Sequence, residues 1–177
     1  MKPVVLSVIG RKGAGRSQAL AGLIEILTRR GFNTGVIKHM AREDFEVDLP
    51  GKDTFEYRAR GAEKVILSGP KRMAIFANLQ KEVPVFELVN EFQGYDLVLV
   101  EGYFANELPK IEFHRRDAGH PLAVSVQNLA ALCSDYPDDL TAQFNVPCFS
   151  LEKLEPLADW LELFYLSSPN VFVGDPI

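Results

Sequence analysis

The segment from Lys2 to Gly31 constrains the fold of this chain more than any other. Lys2–Ile9 alternates weakly and is rich in Val, Leu and Ile, as a buried strand is. It runs straight into Gly10-Arg11-Lys12-Gly13-Ala14-Gly15-Arg16-Ser17. A helix over Ser17–Arg30 follows, with Leu20, Leu23, Ile24 and Leu27 at i, i+3, i+4 and i+7, and Gly31 placed to stop it. Strand, glycine-rich turn and helix in this order set backbone N–H groups at the positive end of a helix. Glycines so spaced let those groups wrap around phosphate oxygens, as in the pattern G-x-x-x-x-G-K-[ST]. Every element of that pattern is present except the lysine, whose place Arg16 takes. A turn that used glycines for geometry alone would not account for the two added cations and Ser17, so residues 10–17 are read as a phosphate loop.

Arginine is planar, longer and forked, where lysine puts a compact charge between the β- and γ-phosphates. Arg16 is expected to pair with phosphate, with Lys12 supplying an ammonium from within the loop. Binding is then retained, with poor hydrolysis or an altered phosphate preference. Ser17 is the candidate Mg²⁺ ligand through its hydroxyl.

The rest of the chain alternates strands and helices. Thr34–Lys38 reads as a strand, 40–52 as a polar loop, Asp53–Arg60 as a short helix ended by Gly61, and Lys64–Ser68 with Arg72–Ala77 as a β-hairpin. Val85–Phe92 reads as helix, Asp96–Val100, Ile111–Arg115 and Leu129–Cys133 as strands, and Leu151–Leu166 as one long helix. The expected fold is α/β, a mostly parallel sheet with helices on both faces plus the hairpin, over a single domain at 1–166 with a loose tail at 167–177. Sites on such sheets form at the carboxyl ends of the strands. Two further groups stand there. Glu101 ends the apolar strand at 97–100, where an acid facing a phosphate loop can hold Mg²⁺. Lys38-His39 ends the second strand on the same edge of the sheet.

Apolar residues make up 47% and charged residues 24% of the 177, a balance that excludes a disordered chain, a collagen-like repeat and a coiled-coil rod. No run approaches the roughly 18 apolar residues that span a bilayer, and Val4–Ile9 is too short for a secretory core, so the expected location is the cytoplasm, away from membranes. Cys133 and Cys148 lack metal-site spacing and are read as reduced, packed thiols. The net charge of −5 hides an asymmetry: residues 1–42 hold eight Lys/Arg and one acid, a net of +7, so the remainder carries −12. An acidic chain with a basic first segment suits a compact polyanion such as a nucleotide phosphate chain, not nucleic acid. Arg29 and Arg30 are read as helix-ending cations on solvated surface.

Taken in order, the motifs resemble the molybdopterin-guanine dinucleotide biosynthesis protein B family along nearly the whole chain. They are Gly10–Ser17, Ile37-Lys38-His39, Asp48-Leu49-Pro50-Gly51-Lys52-Asp53-Thr54, Arg60-Gly61-Ala62-Glu63-Lys64-Val65, Leu97-Val98-Leu99-Val100-Glu101-Gly102, and Pro109-Lys110-Ile111-Glu112 with Arg115 and Arg116. Ser134-Asp135 and Val146-Pro147 fit a weaker C-terminal pattern. The resemblance implies a P-loop NTPase-like, dimeric GTP-binding accessory. Such a protein assists a guanylyltransferase-type partner in attaching GMP to molybdopterin, and is at most a weak GTPase itself. Carried over by position, Gly10, Arg11, Lys12, Gly13, Ala14, Gly15, Arg16 and Ser17 would hold the phosphates, and Ser17 with Glu101 the magnesium. Lys38, His39, Asp48, Lys52 and Asp53 would line the neighbouring cleft, with Lys110, Glu112 and Arg115 on the strand beyond. Asp135 would accept from the guanine N1–H and N2–H₂ edge, or serve an ordinary strand-ending turn. Three departures stand out: Arg16 for lysine, no second histidine cluster in Met40–Asp44, and Phe104 where the family often has lysine.

The homodimer implied by the resemblance would pair through the hairpin, whose Met73, Ile75 and Phe76 are awkward on an open edge. Two other readings stay open: a small-molecule kinase or ligase using ATP or GTP through the same loop, and a scaffold whose loop holds only an anion or nothing.

Overall fold

The computed structural model describes residues 2–42, 45–103, 107–122 and 128–167. Its elements run β1 (Val4–Ile9), α1 (Arg16–Arg29), β2 (Thr34–Lys38), α2 (Asp53–Ala59), β3 (Lys64–Ser68), β4 (Met73–Ala77), α3 (Val85–Val89) and β5 (Leu97–Glu101). Then come β6 (Lys110–His114), β7 (Leu129–Ser134), α4 (Pro137–Thr141), β8 (Cys148–Ser150) and α5 (Glu155–Leu161). The described residues group into two compact units, Met40–Pro84 and the remainder of the chain.

In the larger unit six strands form one sheet in the order β2-β5-β1-β6-β7-β8, and every pairing is parallel. Parallel strands covered on both faces read as continuous apolar runs, and β5, buried throughout, is the clearest case. One face packs Leu6, Val8, Leu97, Leu99, Ile111 and Phe113 against Leu20, Leu23 and Leu27 of α1 and Leu157, Ala158 and Leu161 of α5. The other packs Val5, Ile37, Val98 and Val100 against Val85 and its neighbours Leu88 and Val89 of α3. The strand order turns back at β1, which lies between β5 and β6 although β2 follows it in sequence. Such a switch point opens a crevice at the carboxyl ends, and the loop after β1 lies in it.

Leu151–Leu166 is not one helix. Pro156 has no N–H and fits only the first turn, so α5 starts at Glu155. Its last turn widens: Glu162–Leu166 is a π-helix, with Ser167 N–H donating to the Glu162 carbonyl at 2.8 Å. Arg30 is not a solvated bystander either. Its fork reaches Asp159 at 2.6 Å and Glu162 at 3.0 Å, tying the end of α1 to α5. The short elements α4 and β8 were not expected from the sequence. Of the expected tail, all but Ser167 lies outside the described residues.

The smaller unit holds α2 and the antiparallel hairpin β3-β4, in which Ile66 faces Ile75 and Ser68 faces Met73. Met73 is 67% exposed, Ile66 54% and Ile75 50%, so these apolar side chains share one uncovered face of the hairpin. Arg58 of α2 stacks on the Phe76 ring, 5.2 Å from its centroid. No helix among the described residues is long and apolar enough to cross a membrane.

Candidate functional site

Residues 10–15 join β1 to α1 without a residue to spare, and two glycines make the path possible. A methyl group on Gly10 would lie 2.5 Å from the backbone oxygen of Phe113 in β6. Gly15 is left-handed, with φ 73°, and a methyl there would meet Arg115 Nε at 2.8 Å. Thus the turn after β6 closes on the loop: Arg115 packs its guanidinium on Gly15, and Ala118 lies against Gly13. Arg11 and Lys12 are exposed at the rim. Arg16 opens α1, whose first turn contains no acid. Cations crowded at the positive end of a helix repel one another and the dipole, an arrangement that an anion relieves.

Glu101 is the carboxylate that meets Arg16 and Ser17, and the register explains its neighbours. Val8 of β1 and Lys38 of β2 are both its lateral partners, so the three side chains share a row on the α1 face. Glu101 Oε1 accepts from Arg16 Nε at 3.0 Å and Ser17 Oγ at 3.1 Å, and Oε2 accepts from Lys38 Nζ at 3.1 Å. Burial pushes this carboxyl group up. The Lys38 hydrogen bond, the Arg16 charge and the Ser17 hydroxyl pull harder and hold it below the usual carboxylate range. Arg16 Nη1 also donates to the Gly10 carbonyl at 2.7 Å.

Ser17 and Glu101 therefore present two hard oxygens in mutual contact beside the loop, a donor pair that fits Mg²⁺ with phosphate and water completing its shell. Among the described residues no group of three or more His, Cys, Asp or Glu is placed to hold a metal ion by itself. His39 sits beside this row, its backbone N–H on the Glu101 carbonyl at 2.8 Å and its ring 4.4 Å from that of Tyr103.

The remaining predicted residues divide by element. Lys110 and Glu112 lie on the sheet face opposite α1 and are fully buried, Lys110 with its ammonium on the Leu108 carbonyl at 3.0 Å. Burial lowers the Lys110 pKa against the opposing charge of Glu107. Asp48, Lys52 and Asp53 belong to the smaller unit. There Asp48 accepts from Thr54 Oγ1 and the Leu49 N–H, each at 3.0 Å, while Lys52 and Asp53 begin α2. Asp135 is exposed and braces a turn, its Oδ1 taking the Arg116 N–H at 3.1 Å and the Ser134 hydroxyl at 3.3 Å. Phe104 lies outside the described residues.

Sequence reading missed the group built on His114. Its Nε2 lies 2.9 Å from the His120 carbonyl, to which it donates, and its Nδ1 is hydrogen-bonded with the Tyr136 hydroxyl at 2.8 Å. Arg116 covers the Tyr136 ring, 4.2 Å from its centroid, and pairs with Asp139. The available signal was the alternation Lys110, Glu112, His114 on one face of β6, against Ile111 and Phe113 on the other.

Comparison with known proteins agrees with this architecture. The pattern of the family described as molybdopterin guanine dinucleotide synthesis protein B matches residues 5–135. Two molybdopterin-guanine dinucleotide biosynthesis adapter proteins are similar over 89% of this chain. That of Haemophilus influenzae is 31% identical with 87% of its own length covered, and that of Escherichia coli 32% identical with 90% covered. Among solved structures, a MobB protein homolog from Bacillus stearothermophilus superposes with TM-score 0.69 over 93% of this chain and 99% of its own at 19% identity. Bacillus subtilis MobB gives 0.70 over 92% and 97% at 20%. The structures attest the fold and the closer relatives the descent: this chain belongs to the molybdopterin-guanine dinucleotide synthesis protein B family, MobB.

Proposed function

We propose that the protein is a guanine-nucleotide-binding accessory of molybdopterin-guanine dinucleotide synthesis. It delivers or positions GTP for a guanylyltransferase-type partner that joins GMP to molybdopterin. The observation that carries this reading is the meeting of a phosphate loop, Gly10–Ser17, with the carboxylate of Glu101 at the switch point of a parallel sheet, in a chain whose relatives bear the name of adapters in that synthesis. The loop amides would cradle the phosphates, with Arg11, Lys12, Arg16 and Arg115 adding charge around them. Ser17 and Glu101 would hold Mg²⁺, which when bound neutralises charge on the phosphates. Lys38 and His39 border that position. Asp135 remains the candidate for the guanine edge, held in place by Arg116 N–H. Molybdopterin is the second ligand of this reading, and Lys110, Glu112, Asp48, Lys52 and Asp53 are carried by family position alone.

With a guanidinium at position 16 in place of an ammonium, hydrolysis is expected to be weak or absent. A second copy of the chain is the expected cover for the apolar face of the hairpin, supported by the exposure of Ile66, Met73 and Ile75 there.

A reconstituted assay tests the role. With molybdopterin, GTP, Mg²⁺ and a molybdopterin guanylyltransferase, adding this protein should raise the rate of dinucleotide formation several-fold, as followed by chromatography. An unchanged rate, with nucleotide bound but no effect on the transferase, would remove the accessory role.

A further inference from the structure

Glu101 is the carboxylate that the reading above assigns to a divalent cation, and its charge is already countered from within. Its side chain is 5% exposed, and both oxygens are engaged: Oε1 by Arg16 and Ser17, Oε2 by Lys38. The two cations are held differently. Lys38 is 52% exposed and shares its charge with solvent, whereas Arg16 is 24% exposed and anchored at two points. One nitrogen of its fork holds Glu101 at 3.0 Å and another the Gly10 carbonyl at 2.7 Å. The fork meets the two acceptors through two separate nitrogens, where a lysine would have to bridge both from a single ammonium. Stretched between the first residue of the loop and the carboxylate, the guanidinium holds the same Glu101 oxygen, Oε1, that the Ser17 hydroxyl contacts.

Building on the nucleotide reading above, we propose that Arg16 is a counter-ion gate: it keeps divalent cations off Glu101 until a nucleotide phosphate draws the guanidinium away, so that metal binds tightly in the loop only once nucleotide is there. The phosphate chain is the one arriving group that offers Arg16 a charge-assisted partner to replace Glu101. Once the guanidinium has turned to phosphate, the buried carboxylate has lost its anchored cation and attracts a divalent ion strongly. Metal therefore raises nucleotide affinity and nucleotide raises metal affinity by the same factor, as linkage requires.

The gate gives one substitution two effects of opposite sign. Arg16→Ala loses a phosphate partner, so affinity for a non-hydrolysable GTP analogue in EDTA should fall roughly tenfold or more. The same change unblocks Glu101, so Mn²⁺ alone, titrated by the loss of the free-ion electron paramagnetic resonance signal, should bind roughly tenfold tighter than to the native chain. Arg16→Gln, which keeps a donor for the Gly10 carbonyl but no charge, should show the same gain in Mn²⁺ binding and covers the case in which Arg16→Ala does not fold. Loss of both affinities in folded variants, or Mn²⁺ binding as tight in the native chain as in the variants, would overturn the gate. A gain in Mn²⁺ binding with no nucleotide bound by any form would support Arg16 as the excluding cation and overturn the nucleotide reading.

Discussion

Truncating Phe113 to alanine should lower stability by about 3–5 kcal/mol, read as a shift in the urea midpoint with little change in slope. The ring is fully buried in β6, on the face packed by α1 and α5. Its removal takes away the transfer energy of a large apolar group and leaves a space that α1 and the sheet, tied together through many other contacts, are slow to fill. The same residue gives its backbone oxygen to the underside of the loop at Gly10. A settling of β6 into the space would move that oxygen, so weaker nucleotide binding should accompany the lost stability. A midpoint shift worth less than about 1 kcal/mol would mean that the face collapses freely and that the packing described here does not hold the sheet.

Gly10→Val should weaken nucleotide binding roughly a hundredfold while leaving most of the fold intact. The added carbon must clear a backbone carbonyl at 2.5 Å, and backbone in a central buried strand does not yield as a side-chain tip does. The loop must move instead, and the backbone N–H groups proposed to cradle phosphate move with it. Losing two charge-assisted hydrogen bonds at about 1.5 kcal/mol each weakens binding roughly a hundredfold. Far-ultraviolet circular dichroism should remain close to native, because the change falls between β1 and α1 and not within either. Native affinity in the variant would show that residues 10–17 do not shape a phosphate cradle.

How much of this was legible in the sequence depends on how local each feature is. The loop and its flanking strand and helix were readable because glycine spacing and a 3.6-residue apolar repeat are local properties. Glu101 was readable as well, since a carboxylate at the end of a buried parallel strand has one place to go. Its partners were only half readable: Lys38 follows from register, but the grip of Arg16 on Gly10 and Glu101 depends on where a long, flexible side chain turns. The assignment of 151–166 to one helix failed because apolar periodicity outweighed Pro156, the single residue that fixes the start. The His114 group escaped notice because Tyr136 joins His114, Arg116 and His120 from a separate segment that reaches them only after β6 and β7 pair. The family's C-terminal pattern pointed to Asp135, but only the structure shows that carboxylate bracing the Arg116 turn.

Calorimetric titration of the full chain with GTP, GDP and ATP, each with Mg²⁺ and each in EDTA, tests the central claim most directly. GTP should bind saturably, tighter with Mg²⁺ than without, and tighter than ATP. Absence of heat with every nucleotide in both conditions, from protein whose folding is confirmed in the same sample, would contradict it.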